Sequence, residues 1–124
     1  PKINVLRDPT RGGLVASLNE IAQSSNIGIV IDNDKIPVSQ QVKAFCKILG
    51  LDPLYMANEG KLISIHPHKY TNTLLTNMKK HPLGKNAKVI GKVIKNKKEV
   101  WIKSESGTLR RLINADLEQY PRIC

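Results

Sequence analysis

The sequence predicts an α+β domain, with helices packed on a mixed or mostly antiparallel β-sheet. Three observations predict it. Apolar residues recur at helical spacing in three stretches, 11–24, 39–49 and 69–80. Five short runs with apolar residues, at 26–32, 61–66, 87–94, 99–104 and 108–113, are bounded by turn residues. At 124 residues, 40% of them hydrophobic, the chain has room for one core. With one Phe, one Trp and three Tyr, that core must be built largely from Ile, Leu and Val.

In chain order, Asp8 or Thr10 is expected to cap a helix starting at Arg11–Gly13, where Leu14, Leu18, Ile21 and Ala22 share a face. Ile27, Ile29 and Ile31 then alternate along a strand. After a loop containing Pro37, Ser39 caps a second helix whose Val42, Phe45, Cys46 and Leu49 are expected to face the core. Gly50 stands where a left-handed helix terminus favours glycine. Residues 52–60 read as irregular, 61–66 as a strand, and 69–80 as a helix through Tyr70, Leu74, Leu75 and Met78. Three strands follow, the first two joined by the lysine-rich turn Lys95–Lys98. The domain is expected to span 1–114, with 115–124 a flexible tail ending in Cys124. The chain opens without methionine, on a charged turn with a glycine pair, and is expected to be an excised C-terminal piece.

No apolar run approaches the ~20 residues that span a bilayer. Two cysteines do not make a disulfide scaffold, and no secretory signal is read at the start. The expectation is a cytoplasmic domain without a membrane partner. The formal charge of +10 is concentrated: residues 79–103 hold nine lysines against one acid, Glu99. Such a segment can bind a polyanion. It lacks an Arg-rich helix, and Trp101 alone could stack on a base. A solvated sheet edge that resists edge-to-edge pairing explains it better, so no nucleic-acid partner is expected.

Two segments could carry chemistry. In Arg7–Leu14, RDPTRGGL, the oxygens of Asp8 and Thr10 suit helix-start amides. Gly12 and Gly13 let a ligand approach the backbone, and Arg7 and Arg11 add positive charge. Together they suit a phosphate or another oxyanion. An ordinary capped, glycine-rich helix start fits the same residues. In Asn58-Glu59-Gly60-Lys61, Glu59 could act as a positioned base beside Lys61. A solvated turn carboxylate neutralised by Lys61 is the alternative. The three histidines and two cysteines show no metal-ligand spacing, and no metal site is expected. Cys46 reads as a small buried hydrophobe. Cys124 ends the tail, where its own carboxylate disfavours the thiolate and Arg122 favours it. Residue chemistry alone leaves a carrier thiol and an incidental one both open.

RDPTRGGL, then LGLDPLYMANEGKL, then HPLGKNAKVIGKV, then a terminal PRIC together resemble the HypE family of hydrogenase maturation factors. That family lies within the aminoimidazole ribonucleotide synthetase-like (PurM-like) superfamily. DPTRGG is similar to what the whole superfamily carries, whereas NEGK with PRIC is specific. The resemblance covers essentially all 124 residues but only the C-terminal half of such a protein. It implies a PurM-like C-terminal domain. It also implies a carbamoyl group received on Cys124 from the carbamoyltransferase HypF and dehydrated with ATP to a thiocyanate. Glu59 would be the base, Arg7–Gly13 the phosphate site, and Asn58, Lys61 and Arg122 would support them. ATP and Mg2+ would be held mainly by a preceding domain, with no cofactor in this piece, which alone would be inactive. HypF, the HypC–HypD iron scaffold and a second copy would be its partners. Another synthetase of the superfamily, with Cys124 incidental, and a polyanion-binding module at 79–103 remain the alternatives.

Overall fold

The structure is a computed structural model that describes residues 2–95 and 97–114. Strand β1 (Val5–Arg7) leads to helix α1 (Gly13–Ser24), strand β2 (Ile27–Asp32) and helix α2 (Gln40–Leu49). Strand β3 (Ile63–Ile65), helix α3 (Thr71–Lys80) and strands β4 (Gly91–Lys95), β5 (Val100–Lys103) and β6 (Leu109–Leu112) follow. The main sheet runs β4-β2-β5-β6. Its central pair, β2 and β5, is parallel, and the flanking pairs are antiparallel. The sheet is therefore mixed, and α1 packs on it.

The core lies between α1 and one face of that sheet. Val15, Leu18, Ile21 and Ala22 of α1 meet Ile29, Ile31, Val100, Ile102 and Leu112, all nearly inaccessible to solvent. Each Val, Leu or Ile side chain among them contributes roughly 1.5–3 kcal/mol on burial. Leu54, Tyr55 and Ile63 extend the cluster toward the ribbon that β1 and β3 form.

Three differences from the sequence reading matter for the site. First, Val5–Arg7 is a strand, antiparallel to β3 with Arg7 opposite Ile63. Three residues give no periodicity to read, and this segment is ordered by its partner rather than by its own pattern. Second, β3 and β4 are shorter at their starts than the apolar runs around them, because apolar content does not specify where pairing begins. Third, α2 does not turn its apolar stripe into the core. Ser39 caps it, its Oγ accepting from the Val42 amide at 3.2 Å, and Gly50 ends it at φ 68°. Of that stripe only Cys46 is buried, while Val42, Phe45 and Leu49 are 42%, 58% and 53% exposed. Periodicity marks an apolar face but does not say what covers it.

Strand β4 is an edge of the sheet, and Lys92 and Lys95 stand exposed on it. That is the arrangement expected of lysines that protect an unpaired edge.

Candidate functional site

The segment between β1 and α1 closes through its own backbone. Gly12, at φ 77°, is the N-cap residue of α1, and no side chain caps the helix. The Gly13 amide donates to the Thr10 carbonyl at 3.1 Å, and the Ala16 amide donates to the Gly12 carbonyl at 3.3 Å. The expected cap by Asp8 or Thr10 is not formed, because the left-handed glycine puts the chain into the helix by a backbone turn. With no acid in the first turn and no side-chain cap, the positive end of α1 keeps its attraction for an anion. Asp8 and Arg11 are exposed, and Thr10 and Gly12 are half-buried beside them.

Gly13 has a different role from its neighbour. It is buried at φ +66°, and a Cβ there would lie 2.5 Å from the Met56 carbonyl oxygen and 2.7 Å from that of Leu54. Its missing side chain makes room for the chain's own backbone rather than for a ligand. That contact fixes the 3-10 turn Pro53–Tyr55 against the start of α1.

From this turn the chain runs directly into the second candidate segment. The Asn58 amide donates to the Pro9 carbonyl at 3.0 Å, and the Asn58 side-chain amide donates to the Met56 carbonyl at 2.9 Å. The two sequence motifs, some fifty residues apart, are thereby held side by side. The β1–β3 ribbon aligns them as well, since Arg7 pairs with Ile63 just past Lys61. Glu59 and Lys61 are both exposed, and Gly60 between them turns at φ +74°. Among the described residues Glu59 makes no ion pair, with Lys61 or any other.

Arg7 is not a free cation. Its guanidinium donates to the Glu20 carboxylate, one turn from the end of α1. Nothing local in the sequence signals this pair. Two further residues missed by sequence reasoning tie the last strand to the same region. The buried Asn19 donates from Nδ2 to the Leu112 carbonyl at 3.2 Å, and the Tyr55 hydroxyl donates to the Ile113 carbonyl at 3.3 Å. A polar residue on the apolar face of a helix is the one sequence signal that could have flagged Asn19.

Cys46 is buried with its Sγ 3.4 Å from the Met56 Sδ. Arg122 and Cys124, and with them the whole expected tail 115–124, lie outside the described residues. His66 sits half-buried between the Ser64 and Thr71 hydroxyls at 3.5 and 3.2 Å. Among the described residues no three His, Cys, Asp or Glu side chains gather as metal ligands, and no helix is long and apolar enough to cross a membrane.

The family of the AIR synthase related protein, C-terminal domain, matches residues 1–103. The chain belongs to that family. It is 49% identical over 125 residues to the carbamoyl dehydratase HypE of Cupriavidus necator, a match covering 100% of this chain and 36% of that protein. A crystal structure of hydrogenase maturation protein HypE in complex with ATP superposes with a TM-score of 0.85 at 41% identity, covering 90% of this chain and 35% of that one. HypE in a crystal structure of a HypE–HypF complex gives a TM-score of 0.86 at 43% identity, covering 90% and 36%. The chain thus spans about a third of the length of these relatives and matches their C-terminal part.

Proposed function

We propose that within its full-length protein this chain carries a carbamoyl group on Cys124 and takes part in its ATP-dependent dehydration to a thiocyanate. The cyano group is destined for iron in a nickel–iron hydrogenase. The observation that carries the reading is the Asn58–Pro9 hydrogen bond, which sets a candidate base beside an anion-binding helix start. The names of the relatives, carbamoyl dehydratase and hydrogenase maturation protein, support it.

The chemistry needs both halves of that pair. The carbonyl oxygen of a thiocarbamate is a poor leaving group until it is phosphorylated by ATP and can depart as phosphate. Phosphorylation of the oxygen releases one nitrogen proton to solvent and leaves a carbon–nitrogen double bond; as the carbon–oxygen bond then breaks and phosphate departs, loss of the remaining proton makes that bond triple. Exposed Glu59, free of ion pairs among the described residues, accepts a proton, with the bonds of Asn58 fixing the loop before it and Lys61 adding positive charge two residues on. The uncapped start of α1 at Gly12, with Thr10 and Arg11 beside it, steadies the developing phosphate charge, whereas Asp8, which does not form the expected cap, adds no positive charge there. Arg7 contributes through its pairing with Glu20, which holds the strand end in place. Gly13 acts by packing. Arg122 supports the thiolate of Cys124.

Mg2+ supplies charge neutralisation for ATP phosphates. Among the described residues no three His, Cys, Asp or Glu side chains gather to hold it. HypF as the carbamoyl donor, HypC–HypD as the iron scaffold, a homodimer and a cytoplasmic location belong to the same proposal.

Intact-mass analysis of the full-length protein with the carbamoyltransferase, ATP and carbamoyl phosphate tests it. Cys124 is expected to gain a carbamoyl group and then lose water, and Cys124→Ala to gain nothing. No mass gain in the unsubstituted protein would instead favour a related synthetase with an incidental terminal cysteine, and carbamoylation that persists in Cys124→Ala would overturn Cys124 as the acceptor.

A further inference from the structure

The main sheet has two faces. Ile29, Ile31, Val100, Ile102 and Leu112 pack with α1, so their neighbours along each strand point the other way. On that second face Lys92, Val30, Trp101 and Arg111 lie in one row across all four strands. None of the four is buried, and Lys103 and Leu109, paired beside them, are both exposed. An aromatic and aliphatic centre with a charged rim is the anatomy of a protein interface.

The charge of this face is one-sided. Its two acids are already engaged, Glu99 at 3.7 Å from Arg111 and Asp32 at 3.5 Å from Lys35. Lys92 and Lys103 make no ion pair among the described residues, and neither does Lys97. Lys97 lies over Gly28 on this same face, where a Cβ added to Gly28 would come 2.8 Å from its own. Protection of the sheet edge accounts for lysines on β4. It does not account for Lys103, which stands on β5, an interior strand.

We propose that this face docks a partner protein that presents an apolar centre rimmed by Asp and Glu. Trp101, Val30 and Leu109 meet the apolar centre, and Lys92, Lys97 and Lys103 meet the acids. A second copy of this chain does not fit, since it would bring the same three lysines against them. Nucleic acid fits less well, because single strands stack on several aromatic side chains, whereas β2 offers Gly28 and Val30 beside Trp101. The face lies on the side of the sheet away from α1. Neither Glu59 nor Cys124 takes part, so the inference goes beyond the proposed dehydration and does not rest on it.

The test is fluorine NMR of the full-length protein labelled with fluorotryptophan, the Trp101 resonance being assigned by its loss in Trp101→Phe. The probe is a random copolymer of Glu and Tyr, compared with polyglutamate and an oligothymidylate. The copolymer is expected to shift the Trp101 resonance and to bind more tightly than either comparison. Lys92→Glu with Lys103→Glu, both exposed, is expected to weaken its binding about tenfold, and Lys79→Glu with Lys80→Glu, on α3, less than about twofold. Equal losses in the two double variants reduce the effect to net charge and overturn the proposal. Tighter binding of the oligothymidylate overturns it too, giving the face to nucleic acid. So does a Trp101 resonance that the copolymer leaves unmoved, whether or not a soluble paramagnetic agent reaches it.

Discussion

Replacing Gly13 by alanine separates a packing role from a ligand-binding one. A Cβ at this position meets three backbone atoms of the Leu54–Met56 segment at 2.5–2.8 Å, and backbone yields less readily than a side chain. The φ of +66° adds the cost of a left-handed alanine, about 1–2 kcal/mol. Forcing the turn away from α1 is an overpacking strain of roughly 1–3 kcal/mol. The total, about 2–5 kcal/mol, is a large part of the stability of a domain this size. At about 4 °C per kcal/mol it lowers the melting temperature by about 8–20 °C. Gly60→Ala is the control. Its φ is +74° and nothing lies within 4 Å of its Cβ, so it bears the conformational cost alone, about 1–2 kcal/mol. Thermal and urea unfolding of both variants, followed by circular dichroism, gives the difference directly. Equal losses in the two variants would refute the close-packing argument and return Gly13 to the candidate ligand site.

Three further outcomes are expected. Glu59→Gln in the full-length protein should accept carbamoyl but lose dehydration about 10²–10⁴-fold, the range for a general base, while unfolding changes within about 0.5 kcal/mol; product mass and urea titration check both. Limited alkylation should label Cys124 well before Cys46, which is 2% exposed, and peptide mapping reads the order. Asn19→Ala removes two buried side-chain bonds, to the Val15 and Leu112 carbonyls, and should cost about 1–3 kcal/mol in urea unfolding.

Much of the fold was legible because its signals are local. Alternating Ile27, Ile29 and Ile31 gave β2, Ser39 and Gly50 bracketed α2, and the α1 stripe was readable from spacing alone. What escaped was set by distant partners. Three-residue β1 exists through β3, and the Arg7–Glu20 pair joins a strand end to the far end of a helix. The expected cap at Asp8 or Thr10 failed for a subtler reason: a left-handed Gly12 can start a helix without a side-chain acceptor. Gly13 shows the same limit. A glycine pair announces unusual backbone, yet only the position of residues 54–56 decides whether the space serves a ligand or the chain itself. The two motifs were each visible, but their adjacency comes from long-range contacts, the Asn58–Pro9 backbone hydrogen bond and the β1–β3 pairing.

That bond belongs to a larger pattern centred on residues 53–58. The same short segment presses on Gly13, holds Cys46 through Met56, anchors the end of β6 through the Tyr55 hydroxyl, and delivers Asn58 to the anion-binding turn. Its irregularity is what permits this, since a strand or helix would commit these backbone groups to its own ladder. Stability and site geometry are consequently coupled here. A substitution that lifts the segment from α1 also displaces Asn58, and with it Glu59. Variants on the outer face of α2 leave that segment in place. Damage at Gly13 should therefore appear in both unfolding and dehydration, whereas damage at Glu59 should appear in dehydration alone.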